Sequence, residues 1–242
     1  MLKILRGVLN TTLTVVATIV WPALATLLIP FMPRSRFLEL AKGWGRSLLW
    51  LAGIKARVQG LEHIDKNQIY LVMANHQSLF DIPLINAVMG IRIRFLAKKS
   101  LRLIPVFGWY LWAGRYIFID RSNPRESHRS IEDAVTKLRQ GPSLAIFPEG
   151  TRSRDGKLQP LKKGGFILAL DSGVPILPVG IAGTFDVLPK DRWLVQSGPV
   201  ALAVGEPIDT RPYTRENRSD LVQIVQKDLE VLTEQARAML AS

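Results

Sequence analysis

The sequence predicts an α/β fold, in which a mostly parallel sheet is flanked by helices and preceded by an N-terminal two-helix membrane-associated motif. Short apolar segments alternate with helix-period segments from about residue 54 onward, as they do in βαβ units. Residues 7–33 contain no charged side chain. Polar residues directly follow several of the apolar segments. We therefore expect a membrane-associated motif over 1–52 and an α/β domain over 53–242.

The N-terminal apolar segment, residues 7–33, is long enough to cross a bilayer. Pro22 lies within it and predicts a kink, and a second helix with an apolar stripe follows over 35–52. Two helices that dip into one leaflet are favoured over a single span, because a span has positive charge mainly on one side. A signal peptide cleaved after Ala23–Ala25 is the alternative. Basic residues flank both ends of the segment: Lys3, Arg6, Arg34, Arg36, Lys42 and Arg46.

The apolar segments of the main domain have the length of buried strands, and the segments between them have helical periodicity. The predicted strands are 55–59, 68–74, 92–97, 115–119, 143–147, 175–181 and 199–204. Three helices are predicted in the main domain. One begins at 82, one begins at Asn123 and ends before Gly141, and one covers 216–240.

Composition restricts the function. Lys and Arg total 32 against 20 Asp and Glu, a net charge of +12, which favours nucleic acid, phosphate esters or an anionic membrane as partners. The absence of cysteine excludes disulfides, cysteine metal ligands and a thiol nucleophile. The histidines are far apart in the sequence, which argues against a histidine-rich metal site. They are His63, His76 and His128.

A histidine and an aspartate lie at the junction between the strand 68–74 and the following helix. If His76 occupies the turn and Asp81 the first helical turn, the imidazole can reach back to the carboxylate. Such a pair suits a general base, since the carboxylate orients the ring and stabilises the imidazolium. The alternative is a turn and helix cap in which Asp81 accepts backbone N–H groups.

A second polar segment follows the predicted strand 143–147, where ligands bind at the carboxyl ends of strands in α/β sheets. Glu149 could accept hydrogen bonds from a polyol, and Gly150 would let the backbone approach a ligand. Arg152 offers a planar fork for phosphate. The alternative is a solvated turn in which Arg152 pairs with Glu149.

Further positive charge follows two other predicted strands. Arg121 would lie on the same sheet edge as the histidine, or would simply pair with Asp120. Lys98 and Lys99 add charge at that edge, or form a solvated strand end.

Four segments together resemble the four conserved blocks of the glycerolipid acyltransferases, and of their bacterial members most closely. No single block is specific, whereas the four in this order are. They are Asn75–Asp81, Gly114–Arg121, Phe147–Arg152 and Val174–Val179.

The resemblance implies transfer of a fatty acyl group from acyl-CoA or acyl-ACP to the free sn-2 hydroxyl of 1-acyl-sn-glycerol 3-phosphate, giving phosphatidic acid. His76 would be the general base and Asp81 its orienting partner. Glycerol would be placed by Glu149 and Gly150, and phosphate held by the arginines with help from Lys98 or, less favoured, Lys99. The implied substrate-binding residues are Glu149, Gly150, Thr151, Arg152, Arg121 and Lys98.

The resemblance further implies no cofactor and no metal, since the acyl thioester is a co-substrate. Ser78 lies in no Gly-x-Ser-x-Gly elbow, so a serine nucleophile is not expected. Membrane lipids and acyl-CoA or acyl carrier protein are the expected partners, at the cytoplasmic face of the inner membrane. Nucleic acid is not expected, because the basic residues form no recognisable binding module. Two alternatives stay open: an acyltransferase for another lysolipid, and a non-catalytic membrane lipid-binding protein.

Overall fold

The computed structural model describes residues 1–119 and 124–241, with the backbone alone at 30, 34, 35 and 124–129. Its centre is a seven-stranded sheet in the order β1-β7-β6-β2-β5-β3-β4. The strands are β1 (Lys55–Gln59), β2 (Leu71–Ala74), β3 (Ile93–Lys98), β4 (Ile117–Ile119), β5 (Ser143–Ile146), β6 (Ile176–Ala182) and β7 (Pro199–Val204). The helices are α1 (Leu2–Leu28), α2 (Arg34–Leu51), α3 (Asp81–Val88), α4 (Phe107–Ala113), α5 (Pro124–Gln140), α6 (Lys163–Ser172), α7 (Thr184–Val187) and α8 (Arg218–Ala241).

The predicted mostly parallel sheet is confirmed. The neighbouring strands β6, β2, β5, β3 and β4 all run parallel, so their carboxyl ends share one edge. Only β6 and β7 pair antiparallel, and β1 pairs parallel to β7. The strand bounds differ from the predicted ones by at most three residues. The predicted helix start at Asn123 lies outside the described residues.

The two faces of the sheet are covered by different helices, as the side-chain alternation of a strand requires. Val72 and Ala74 of β2 face a core shared with α1, α2, α3 and α4. Leu71 and Met73 face a second core shared with α5, α6 and α8. Both sides of the central strands are therefore buried, which explains their unbroken apolar sequence.

Helix α1 runs through Pro22 without ending there, and a 3₁₀ turn over Ile29–Phe31 joins it to α2. It packs against α2 and α4 and leaves most of its apolar side chains exposed. One polar and small face is buried, namely Gly7, Asn10, Thr14, Pro22 and Ala25.

Helix α2 belongs to the core of the main domain. Phe37 and Leu48 are 3% and 4% exposed and lie in the same apolar cluster as the sheet. At Gly45 the helix approaches α3 so closely that a Cβ would lie 2.5 Å from the Pro83 carbonyl oxygen. The division after residue 52, into a membrane-associated motif and an α/β domain, remains a prediction.

Candidate active site

The junction after β2 is held in place by Asn75. Its side-chain amide donates to the Ile181 carbonyl at 2.9 Å, and its side-chain oxygen accepts the Ile181 N–H at 2.7 Å. Asn75 is 1% exposed, so this reciprocal pair lies in a dry environment where hydrogen bonds are strong. The turn that follows β2 is thereby anchored to β6.

His76 and Asp81 come together as the sequence predicts. The His76 Nδ1–H donates to Asp81 Oδ2 at 2.7 Å, a direction that follows because an ionised carboxylate can only accept. The same oxygen accepts the backbone N–H groups of Gln77 and Ser78, each at 2.8 Å. Asp81 therefore orients the imidazole and also accepts the backbone N–H groups of the turn before α3. The contacts expected of a histidine partner and those expected of a turn cap are made by this one carboxylate.

The imidazole ring is fixed on its flat side as well. It stacks on the ring of Phe147, with centroids 3.8 Å apart and an interplanar angle of 9°. The His76 side chain remains 14% exposed. Since Nδ1 carries the proton shared with Asp81, Nε2 is the basic nitrogen of this tautomer.

Glu149 holds the backbone of His76. One carboxylate oxygen accepts the His76 N–H at 2.5 Å, and the other accepts the Gln159 N–H at 2.9 Å. The side chain is 1% exposed. Burial raises the pKa of Glu149 to about 7. The two backbone N–H groups act in the opposite direction because they stabilise the anion, but the effect of burial is larger. Its predicted contact with glycerol remains a prediction, since both oxygens bond to the chain itself.

The remaining residues of this segment lie on the loop after β5. Gly150 has φ 74°, a left-handed conformation that suits glycine, and a Cβ there would lie 2.9 Å from Lys162 Nζ. The exposed Thr151 Oγ1 accepts a hydrogen bond from Lys190 Nζ at 3.0 Å. Arg152 is half-buried and makes no hydrogen bond or ion pair with the described residues.

Lys98 and Arg121 are the other cations predicted to bind phosphate. Lys98 ends β3, the neighbour of β5, so it lies on the same sheet edge as Arg152. It is exposed and has no ion-pair partner among residues 1–119 and 124–241. Arg121 lies outside the described residues.

An apolar cleft opens between the sheet and the first helices. Lys98 and the Phe95–Ala97 end of β3 line one side of it. The helices contribute mainly apolar side chains, including Trp21, Leu40, Trp44, Ile82, Phe107 and Leu111.

Several supporting residues carry no role in the sequence prediction. The Ser153 N–H donates to the His76 carbonyl at 2.8 Å, so the loop after β5 holds both backbone groups of His76. Gln77 Nε2 donates to the Gly156 carbonyl, and the fully buried Ser78 hydroxyl donates to the Leu188 carbonyl. Phe147 lies within the predicted segment and Ser153 directly follows Arg152, but no local pattern indicates which distant atoms they contact.

Within the described part of the chain, no group of three or more histidine or acidic side chains is placed so that it could hold a metal ion. The groups nearest the imidazole are a carboxylate, an aromatic ring and backbone amides.

Comparison with known proteins gives consistent results. The sequence model of the Acyltransferase family matches residues 55–182. A 1-acyl-sn-glycerol-3-phosphate acyltransferase of Limnanthes douglasii is 34% identical over 218 residues, covering 88% of this chain and 76% of that protein. The Pseudomonas aeruginosa protein of the same name is 31% identical over 208 residues, covering 83% and 79%. The crystal structure of the 1-acyl-sn-glycerophosphate (LPA) acyltransferase from Thermotoga maritima superimposes with a TM-score of 0.85 at 31% identity, covering 98% of this chain and 96% of that one.

Proposed function

This chain belongs to the acyltransferase family, and we propose that it transfers a fatty acyl group to the sn-2 hydroxyl of 1-acyl-sn-glycerol 3-phosphate, giving phosphatidic acid. The proposal is supported by the activity for which relatives that align over most of the chain are named. The observation that carries it is the 2.7 Å bond between His76 and Asp81 at the carboxyl edge of the parallel sheet.

In the proposed reaction, His76 Nε2 takes the proton of the acceptor hydroxyl as its oxygen attacks the thioester carbonyl. A C–O bond forms and the carbonyl π electrons move to oxygen. They return as the C–S bond breaks, and the thiolate leaves with the proton that His76 gives up. Asp81 stabilises the imidazolium between these two transfers, which is what a buried carboxylate on Nδ1 can do. No acyl-enzyme is formed.

Acceptor binding is proposed to depend on cations around this edge. Arg152 has the fork geometry that suits phosphate and no competing acidic partner among the described residues. Lys98 would assist as a point charge, and Arg121 retains the phosphate-binding role that the family resemblance implies. Gly150 and Thr151 are proposed to lie beside the glycerol.

The apolar cleft is the proposed site for an acyl chain. The helices line it with Phe107, Leu111, Trp21 and Trp44. Burying a methylene of the chain there is worth about 0.8 kcal/mol. Lys98 at its edge would lie between the chain and the phosphate.

The acyl donor is proposed to be acyl-CoA or acyl carrier protein, acting as co-substrate with no bound cofactor. Membrane lipids are the acceptor and the product. Because acyl donors of both kinds are intracellular, the site is proposed to face the cytoplasm.

Helix α1 is proposed to lie in one leaflet and not to cross the bilayer. By length and composition it is the only helix in the described ranges that could span a membrane. It contacts the domain at Asn10, which bonds to Ser197, and again at Ala25, about 22 Å further along. A helix held along its length in this way cannot cross a bilayer unless the domain enters as well. These contacts also argue against a cleaved signal peptide.

The direct test is turnover. Purified protein and the His76→Ala variant would be given lysophosphatidic acid with labelled acyl-CoA or acyl-ACP, and phosphatidic acid measured. We expect product from the wild type and a loss of at least about 10²-fold in the variant, the usual contribution of a general base. Unchanged turnover by the variant would remove His76 as the base. If neither donor yields product with this acceptor, a panel of other lysolipids distinguishes an enzyme for another acceptor from a non-catalytic lipid-binding protein.

A further inference from the structure

Helix α4 exposes tryptophans to solvent. Trp109 and Trp112 are 59% and 68% exposed, whereas Tyr110 and Leu111 between them are buried. Residues three apart lie on one face of a helix, so the two indoles form a single outward patch. Before α4, the 3₁₀ segment Lys99–Leu103 ends in Leu103, which is 83% exposed, and Ile104 directly follows it at 47% exposed. We call these four residues the α4 patch.

The backbone before α4 is strained in a way that holds this patch outward. Val106 has φ 65° and ψ −57°, and the Phe107 N–H donates to the Pro105 carbonyl at 2.7 Å. This is a γ-turn of the rare positive-φ kind, in an L-residue with a branched Cβ. Gly108 then lies so close to the Arg102 carbonyl oxygen that a Cβ would be 2.3 Å from it. The turn fixes the direction in which α4 leaves the sheet edge.

The α4 patch belongs to a helix that packs against α1. The two helices pack together, and Trp21 and Pro22 of α1 line the same cleft as Phe107 and Tyr110 of α4. From Val8 to Leu28 the exposed side of α1 is apolar apart from Thr12, and it includes Ile19. The patch therefore extends the proposed membrane surface beyond the N-terminal helices.

A third tryptophan lies at the other half of α1. Trp193 is 87% exposed. Its loop is tied to α1 because the Trp193 carbonyl accepts the Thr11 hydroxyl at 3.3 Å and the Val195 N–H donates to Thr11 Oγ1 at 2.9 Å. Exposed tryptophans thus adjoin α1 at both of its halves.

Charge and residue type identify what covers these tryptophans. Indoles concentrate where a bilayer meets water, because an apolar ring and a polar N–H are both satisfied there. Exposed basic residues accompany each group, namely Arg102 beside the α4 patch and Arg192 beside Trp193. An anionic lipid surface attracts such residues.

We propose that the α4 patch and Trp193 insert into the headgroup region of the same leaflet as α1. The bilayer then contacts the protein on three elements, which sets the tilt of the domain and brings the apolar cleft to the lipid surface. The inference rests on membrane binding by α1 and not on the identity of the reaction.

The test uses the absence of cysteine, because a single introduced thiol can be labelled without removing any native one. A fluorophore would be attached at Trp109→Cys, Trp112→Cys and Trp193→Cys in the full-length protein. Ile19→Cys on α1 and Val231→Cys on the exposed side of α8 are the positive and negative controls. The vesicles would contain phosphatidylethanolamine and phosphatidylglycerol, with a nitroxide-labelled phospholipid as quencher.

We expect labels at 19, 109, 112 and 193 to be quenched at least about threefold more strongly than the label at 231. Quenching at 109 and 112 no greater than at 231, with strong quenching at 19, would overturn the proposal. So would labels at 109 and 112 that are shielded from aqueous iodide but not quenched by the lipid, since a second copy of the chain would then cover the patch. Lack of quenching at 19 would show that α1 itself stays out of the bilayer.

A second measurement separates insertion from folding. In Trp109→Ala/Trp112→Ala, vesicle binding at limiting lipid should fall several-fold, while turnover in detergent micelles stays near wild type. The matched control is Ile224→Ala/Val231→Ala on α8, where the removed side chains are also exposed. Equal vesicle binding by the two double variants would refute the inference, and turnover in micelles reports independently on the proposed reaction.

Discussion

At the residue scale, the carboxylate of Asp81 orients both a side chain and the backbone of the candidate site. One of its oxygens accepts three N–H groups, from the His76 ring and from the Gln77 and Ser78 backbone. A single fully buried side chain thus sets both the shape of the turn and the tautomer of the imidazole. A substitution at Asp81 therefore alters the turn and the orientation of the imidazole together.

Replacing Asp81 by Asn is expected to lower kcat by about 10²-fold or more with little change in the acceptor KM. An amide oxygen can still accept backbone N–H groups, but it carries no charge to stabilise an imidazolium. Steady-state kinetics in detergent micelles measure this. The control is Ser78→Ala, which loses the hydrogen bonds to the Leu188 carbonyl and from the Phe80 N–H, each worth about 1 kcal/mol, and keeps the pair intact. Activity of Asp81→Asn equal to that of Ser78→Ala would contradict the assigned role.

Replacing Arg152 by Ala is expected to raise the KM for the phosphate-bearing acceptor by about 10- to 100-fold. That range corresponds to a charge-assisted hydrogen bond of about 1.5–3 kcal/mol. Arg154→Ala is the matched control, because Arg154 is exposed and lies 3.9 Å from Asp191. An acceptor KM that changes equally in the two variants would place the phosphate elsewhere.

Two loops act as one unit at the element scale. The loop after β5 accepts the His76 N–H through Glu149 and donates to the His76 carbonyl through Ser153. It also stacks Phe147 on the imidazole. Catalytic geometry therefore depends on how the β2 and β5 loops pack, and the two loops follow adjacent parallel strands.

The raised pKa of Glu149 predicts a pH-dependent stability. Its folded pKa of about 7 exceeds the unfolded value of 4.5, so the stability it contributes is complete below pH 4.5 and is lost as pH rises through 7. Relative to Glu149→Gln, which does not titrate, the wild type should lose up to about 3 kcal/mol between pH 4.5 and 8. Thermal unfolding in detergent across this range measures the difference, with the exposed Glu230→Gln as control. A wild-type advantage over Glu149→Gln that does not change with pH would show that Glu149 ionises normally.

The whole molecule is organised around α1. Its inner face bonds to the loop before β7 and lines the apolar cleft, and its outer face is left to the surroundings. Membrane attachment and the proposed acyl-chain site are therefore parts of one structure. A change that alters only the outer face of α1 should weaken membrane attachment and leave the proposed acyl-chain site intact.

Val15→Asp/Ile19→Asp is expected to reduce vesicle binding strongly without unfolding the protein. Both side chains are more than half exposed, at 53% and 59%, and an acidic residue in the apolar region of a bilayer costs about 2.5–3.5 kcal/mol. Vesicle flotation measures binding, and turnover in micelles should persist. Ile224→Asp on α8 should bind vesicles like the wild type. If the α1 variant also does so, α1 does not anchor the chain.

The sequence alone determined the seven strands to within three residues, the helices α1, α2, α3, α5 and α8, the parallel character of most of the sheet, and the position of the polar segments at its carboxyl edge. It did not predict α4, α6 and α7. The predicted features follow from local information, because apolar runs of strand length, helical periodicity and turn residues report burial over a few neighbouring positions. The pairing of His76 with Asp81 was predictable for the same reason, since both lie within one turn of a strand–helix junction.

Only the tertiary structure decided what depends on distant partners. The antiparallel pairing of β6 with β7, the inward turn of Glu149 and the stacking of Phe147 on His76 each join residues far apart in sequence. The same holds for α1, whose contacts at Asn10 and Ala25 join it to residues distant in the sequence. Periodicity shows that a face is buried, but the contacts of the folded chain determine what it is buried against.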